Sequence, residues 1–261
     1  MKKYRLFVQL FAVLFVVAPI LNAQTLKGMN LNGSTGLVSI PTARISWDET
    51  SYLGLDLGHH TIIRKDIAHI PAISISIFKM VEISGAFDIQ PRSNESSFIL
   101  GGKIHFPIEN TALALGGNFQ LLDMWNSSPD RMAGQVYLAV TYSGHFFNWP
   151  AETTVVLGKT FIKNSPDTNI DFGMGFDMIL FPSVLNNFVH WIMDFANFSY
   201  SAEPTSADHR IRGVLNTGFR IDLSAVPVFS KIKFVVDVLM TDAFDSNRAF
   251  SIGLVLGVPL L

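Results

Sequence analysis

Apolar and polar residues alternate with period two along most of the chain. In 169–180, NIDFGMGFDMIL, Ile170, Phe172, Met174, Phe176, Met178 and Leu180 share one face, with Asn169, Asp171, Gly173, Gly175 and Asp177 on the other. Successive side chains of a strand point to opposite sides of its sheet, so this pattern predicts strands. Phe250, Ile252, Leu254, Leu256 and Val258 repeat it against Ser251, Gly253 and Gly257. So do Val81, Ile83, Phe87 and Ile89 against Glu82, Ser84 and Asp88. Twelve segments follow: 51–59, 70–80, 81–90, 96–107, 111–121, 132–146, 152–162, 169–180, 188–200, 210–222, 231–241 and 248–259. Most exceed the ~5–6 residues of a typical strand. They match the ~9–11 residues that a tilted strand needs to cross a bilayer.

The connectors alternate as well. Those after odd-numbered segments are mostly polar (HTIIRKDIAH, PRSNE, DMWNSSPDR, KNSPDT, AEPTSADH, AFDSN), and those after even-numbered ones tend to be tight. Short turns at one end and longer polar loops at the other are the signature of an outer-membrane barrel. Trp125, Phe146, Phe147, Trp149, Phe181, Phe188, Tyr200 and Phe229 fall near strand ends, where interfacial girdles are expected. Composition agrees. Charged residues make up 15% of the chain against 49% apolar, and an ordinary soluble domain carries about a quarter charged. A secreted β-sandwich would alternate too, but with a charged outer face. Here the polar face carries Gly, Ser, Asn and single charges, which suits an enclosed centre with lipid outside. The expected fold is all-β: a transmembrane antiparallel up-and-down barrel of about twelve strands, closed because lipid tolerates no open sheet edge. With 19 Lys+Arg against 21 Asp+Glu there is no basic excess for nucleic acid. The absence of cysteine excludes disulfides and thiolate metal sites.

Lys2, Lys3 and Arg5 precede an apolar stretch from Leu6 to Leu21, and Ala23 offers a small residue for cleavage. Residues 1–23 therefore read as a secretory signal peptide. Residues 24–50 form a Gly/Pro-containing segment expected at the periplasmic mouth or in the lumen, and 51–261 form the barrel.

Within that segment, residues 33–43 read GSTGLVSIPTA. Gly33, Gly36, Leu37, Val38, Pro41, Thr42 and Ala43 occupy the positions of the opening motif of the YjbH-like outer-membrane proteins, which the chain resembles there. The resemblance implies a barrel associated with envelope or exopolysaccharide production or export. A small porin-like channel and a non-conducting structural or adhesive barrel are the alternatives. Two readings of the motif stay open: it narrows the mouth or docks a partner, or it only sets the direction of the first strand.

On the polar face the ionisable groups are Asp56, Glu82, Asp88, Lys103, His105, His145, Asp171, Asp177, His190, Asp194, Arg212, Arg220, Lys233 and Asp237. Neighbouring segments bring Asp171, Asp177 and Asp194 toward Arg212 and Arg220, as an ion-pair plug or as the lining of a solute path. No local motif nominates a nucleophile and base, so no enzyme, catalytic residue or cofactor is expected. His59, His60 and His69 bracket the first loop without metal-ligand spacing, and no metal site is assigned. The expected partners are outer-membrane lipid, the barrel-assembly machinery and, through the resemblance, polysaccharide- or envelope-export proteins.

Overall fold

The computed structural model describes residues 28–92, 95–121, 132–162, 170–185, 187–197, 213–225, 229, 232–245 and 248–261. The expected signal peptide, Trp125, Tyr200 and Arg212 lie outside the described residues. Twelve strands follow in chain order. They are β1 (Leu53–Ile63), β2 (Ile67–Ile77), β3 (Val81–Gln90), β4 (Glu95–Ile108), β5 (Thr111–Leu121) and β6 (Met132–Phe146). Then come β7 (Trp149–Ile162), β8 (Asp171–Ile179), β9 (Val189–Ala196), β10 (Val214–Asp222), β11 (Lys233–Thr241) and β12 (Ala249–Pro259). Each pairs antiparallel with its sequence neighbours, and β1 pairs with β12 from Gly54↔Pro259 to Ile63↔Phe250, closing the barrel. Closure leaves no sheet edge for lipid to meet.

Residue pairing sets the turns. Ile108↔Thr111 and Phe146↔Trp149 are opposed, so Glu109-Asn110 and Phe147-Asn148 make two-residue turns, with Glu109 (φ 40) and Phe147 (φ 57) left-handed. Such turns match the right-handed twist of the flanking strands. Two connectors differ from the sequence expectation. The first loop shrinks to Arg64–Asp66, because β1 and β2 pair as far as Ile63↔Ile67. The turn between β8 and β9 carries a helical turn at Pro182–Leu185, opened by a proline that needs no N–H partner there.

Most aliphatic and aromatic side chains of the strands point outward, and most polar ones inward. Leu254 is 46% exposed and Leu256 50%, whereas Asp56, Glu82 and Asp237 are each 1% exposed. The outward face is therefore a hydrocarbon-facing surface. Aromatics crowd the tight-turn rim: Trp149 and Phe181 stack edge-on at 4.5 Å, and Phe146 and Phe147 at 5.0 Å. Phe188 departs from that pattern and is buried.

Lipid depth gives a direct test. Leu254→Arg, at the middle of β12, should cost about 2–4 kcal/mol, and Phe250→Arg, near the loop rim, about 0–1 kcal/mol. Urea unfolding from lipid vesicles measures both; equal losses would contradict the orientation.

Candidate functional site: the occupied barrel interior

The barrel is filled by its own chain. Residues 28–45 are all buried, folded into tight turns inside the wall. Isolated bridges Met29↔Thr35 and Gly36↔Pro41 pin two of them. Asn30 organises the first: its Oδ1 accepts from Asn32 N at 3.0 Å and Ser34 N at 3.1 Å, an Asx-type turn. Gly33 takes φ +85, and a Cβ there would stand 2.7 Å from the Gly85 carbonyl oxygen of β3. Both conformation and space require glycine.

Wall side chains hold this segment mainly through its backbone. Asp194 on β9 accepts from the consecutive amides of Val38 (2.9 Å), Ser39 (2.7 Å) and Ile40 (3.3 Å). Successive N–H groups curled around one carboxylate form an anion nest. Asn216, the register partner of Asp194 on β10, donates to it as well at 2.7 Å. Arg220 supplies the opposite polarity. Its Nη1 donates to Gly36 O at 3.0 Å, and its Nη2 reaches Leu37 O at 3.3 Å and Met29 O at 3.4 Å. Its Nε and Nη2 also bind Asp237, at 2.9 and 3.1 Å, in the paired geometry that favours arginine.

Further anchors follow the segment toward the tight-turn rim. Lys103 donates to Thr35 O (2.8 Å) and Thr42 O (3.0 Å) and stands 3.3 Å from Glu82. Glu82 accepts from both the amide and the hydroxyl of Thr35. The Nδ1 of His105 is 2.7 Å from Ala43 O, and Ala43 N donates to Thr141 at 2.8 Å. Arg44 reaches Ser143 at 2.7 Å and Glu152 at 3.3 Å. Below it Lys233 binds Ser46 and Asp56, and Trp47 donates to Asp56 at 3.1 Å.

Apolar contacts complete the fit. Met29, Leu31 and Val38 join Ile62, Ile70, Ile99 and Leu239 in one buried cluster, and Leu37, Ile40 and Ala43 join Ala112, Ala114 and Ala139 in another. The glycine-rich face of β8 makes the room: a Cβ on Gly173 would lie 2.7 Å from Ile40, and one on Gly175 2.6 Å from Leu37.

No family model and no curated protein matches this chain. Among solved structures, the KdgM porin superposes with a TM-score of 0.51 at 6% identity, over 80% of this chain and 99% of that one. KdgM porin in complex with disordered oligogalacturonate gives 0.51 at 7% identity, with the same coverage. Omp33 from Acinetobacter baumannii aligns over 80% of this chain and 98% of that one, at 8% identity and a TM-score of 0.46. The fold is that of an outer-membrane porin barrel. Its strands pass the membrane repeatedly, with the apolar outward face described above set in the lipid.

Within this barrel the charged residues singled out from sequence do not form one cluster. Arg220 and Asp177 do approach, at 3.9 Å. The close partner of Arg220 is Asp237, its direct register neighbour on β11, which lay on the polar face but outside the expected cluster. Asp177 binds His190 at 2.6 Å. Asp194 serves the segment's amides. Asp171 sits nearer the loop rim, where Thr160 (2.5 Å) and Gln135 (3.3 Å) donate to it. His145 is a correction: it is exposed at the end of β6, not in the lumen. His59 and His69 lie in β1 and β2, stacked at 5.5 Å, while His60 points into the barrel. Among the described residues no group of three His, Asp or Glu could hold a metal. Sequence reading missed Glu152 and Arg44, because the Trp149-Pro150 start of β7 hid the inward parity of Glu152.

Breaking a buried charge pair by removing one partner costs about 3–5 kcal/mol. Arg220→Ala should accordingly lower the temperature at which the folded band converts to the unfolded one on a gel. Unchanged melting would contradict its role as an anchor.

Proposed function

We propose that this chain is a self-plugged outer-membrane barrel serving envelope or exopolysaccharide export, and that residues 28–45 keep it closed. The observation that carries the closed state is the burial of that whole segment inside the wall. The export role is supported by the resemblance of residues 33–43 to the YjbH-like opening motif. Several of those motif residues are engaged by the wall: Gly36 and Leu37 through Arg220, Thr42 through Lys103, and Ala43 through His105. On this reading the motif is the stopper itself. Its partners are outer-membrane lipid, the barrel-assembly machinery and polysaccharide- or envelope-export proteins, and the barrel performs no chemistry of its own.

A second reading, a small-solute channel, draws on the likeness to the KdgM porin, one structure of which holds an oligogalacturonate. The filled interior favours the plugged barrel over a standing pore.

Refolded full-length protein in planar bilayers should be electrically silent. Removal of residues 28–45 should produce steady conductance, and a synthetic peptide of that sequence should suppress it. Ohmic conductance from the intact chain would overturn the plug and favour the channel. For the export role, cells lacking the protein should lose surface polysaccharide; unchanged polysaccharide would overturn it.

A further inference from the structure

Resting on the reading that residues 28–45 close the lumen, we infer that the wall behind them is a cation pathway. The inference follows from what each wall charge retains once the segment leaves. Three wall cations keep a carboxylate: Lys103 has Glu82 at 3.3 Å, Arg220 has Asp237 at 2.9 Å and Lys233 has Asp56 at 3.2 Å. Of the other buried carboxylates among the described residues, Glu152, Asp177 and Asp194 stand on the adjacent strands β7, β8 and β9, while Asp48, Asp88, Asp171 and Asp242 are buried elsewhere in the interior.

Each of the three leans on something other than a wall lysine or arginine of its own. Glu152 faces Arg44, at 3.3 Å, and Arg44 belongs to the segment. Asp194 is held by three segment amides, with Asn216 as its wall donor. Asp177 has His190 at 2.6 Å and only the distant edge of Arg220, at 3.9 Å. Glu152 and Asp177 are also direct register partners. Like charges opposed across a strand pair repel, and in the closed barrel the Arg44 guanidinium offsets that repulsion. The segment therefore carries a built-in cation seated on the acidic flank. With it gone, Glu152 and Asp194 keep no lysine or arginine partner, and the flank is electronegative and walled by low-dielectric protein, which concentrates counter-ions. Its ligand class is small monovalent cations. Anions, including acidic sugars, are disfavoured.

The test uses the chain lacking residues 28–45 in planar bilayers under a potassium chloride gradient. The reversal potential should move toward the potassium equilibrium value. It should give a cation preference of roughly tenfold at low salt, shrinking as added salt screens the wall. Glu152→Gln combined with Asp194→Asn in that background should bring the preference close to unity. A conducting barrel with no preference, or with anion preference, overturns the cation pathway and leaves the plug intact. A folded but silent barrel overturns the plug and this inference together. Should the shortened chain fail to fold, full-length Gly36→Val replaces it. A Cβ at Gly36 would meet the Ile40 carbonyl oxygen at 2.3 Å, so that variant loosens the segment without altering a wall charge, and the same reversal potentials decide the matter.

Discussion

A barrel interior lined with charge cannot be both dry and unfilled. Lipid outside forces the sheet to close and sends polar side chains inward, where each ionised group needs a partner or pays several kcal/mol for lost hydration. For Asp194 and Arg220 much of that partnership comes from the main chain of residues 28–45. Asp194 takes three amides and Arg220 takes three carbonyls. The same bonds solve the segment's own problem, since turns buried away from water must place their N–H and C=O groups somewhere. Wall and segment complete each other.

The grip on the backbone explains the composition of the segment. Main-chain recognition asks for an exact path, so the residues that matter are those that bend the chain or keep out of the way. Gly33 supplies the left-handed turn against β3, and Gly36 passes under the Ile40 carbonyl. On the wall, glycines of β8 stand back where Leu37 and Ile40 press in. The small residues on the polar face of the strands are thus the mould of the segment, as the apolar residues on the other face are the mould of the membrane.

Charge is distributed by strand rather than in one cluster. Arg220, Asp237, Asp177 and His190 form a chain across β8 to β11, Lys103 and Glu82 a pair on β3 and β4, and Arg44 with Glu152 a bridge from segment to wall. The wall pairs stand without the segment, whereas Glu152 and Asp194 rely on it, the one for Arg44 and the other for three amides.

The periodicity of the sequence by itself determined the barrel: about twelve strands, which face meets lipid, and which side has tight turns. Alternation is a local property of the chain, and the lipid boundary acts on every residue alike, so no long-range information is needed. Sequence also placed Asp171, Asp177, Asp194 and Arg220 on the inward face. Only the tertiary structure decided their partners, because register and the path of residues 28–45 are long-range facts. The Arg220–Asp237 pair depends on how β10 slides against β11. The three amides on Asp194 come from a segment some 155 residues away in the chain, and no residue pattern marks a backbone N–H as a ligand. Backbone groups are the same at every position; folding alone selects the ones that bind.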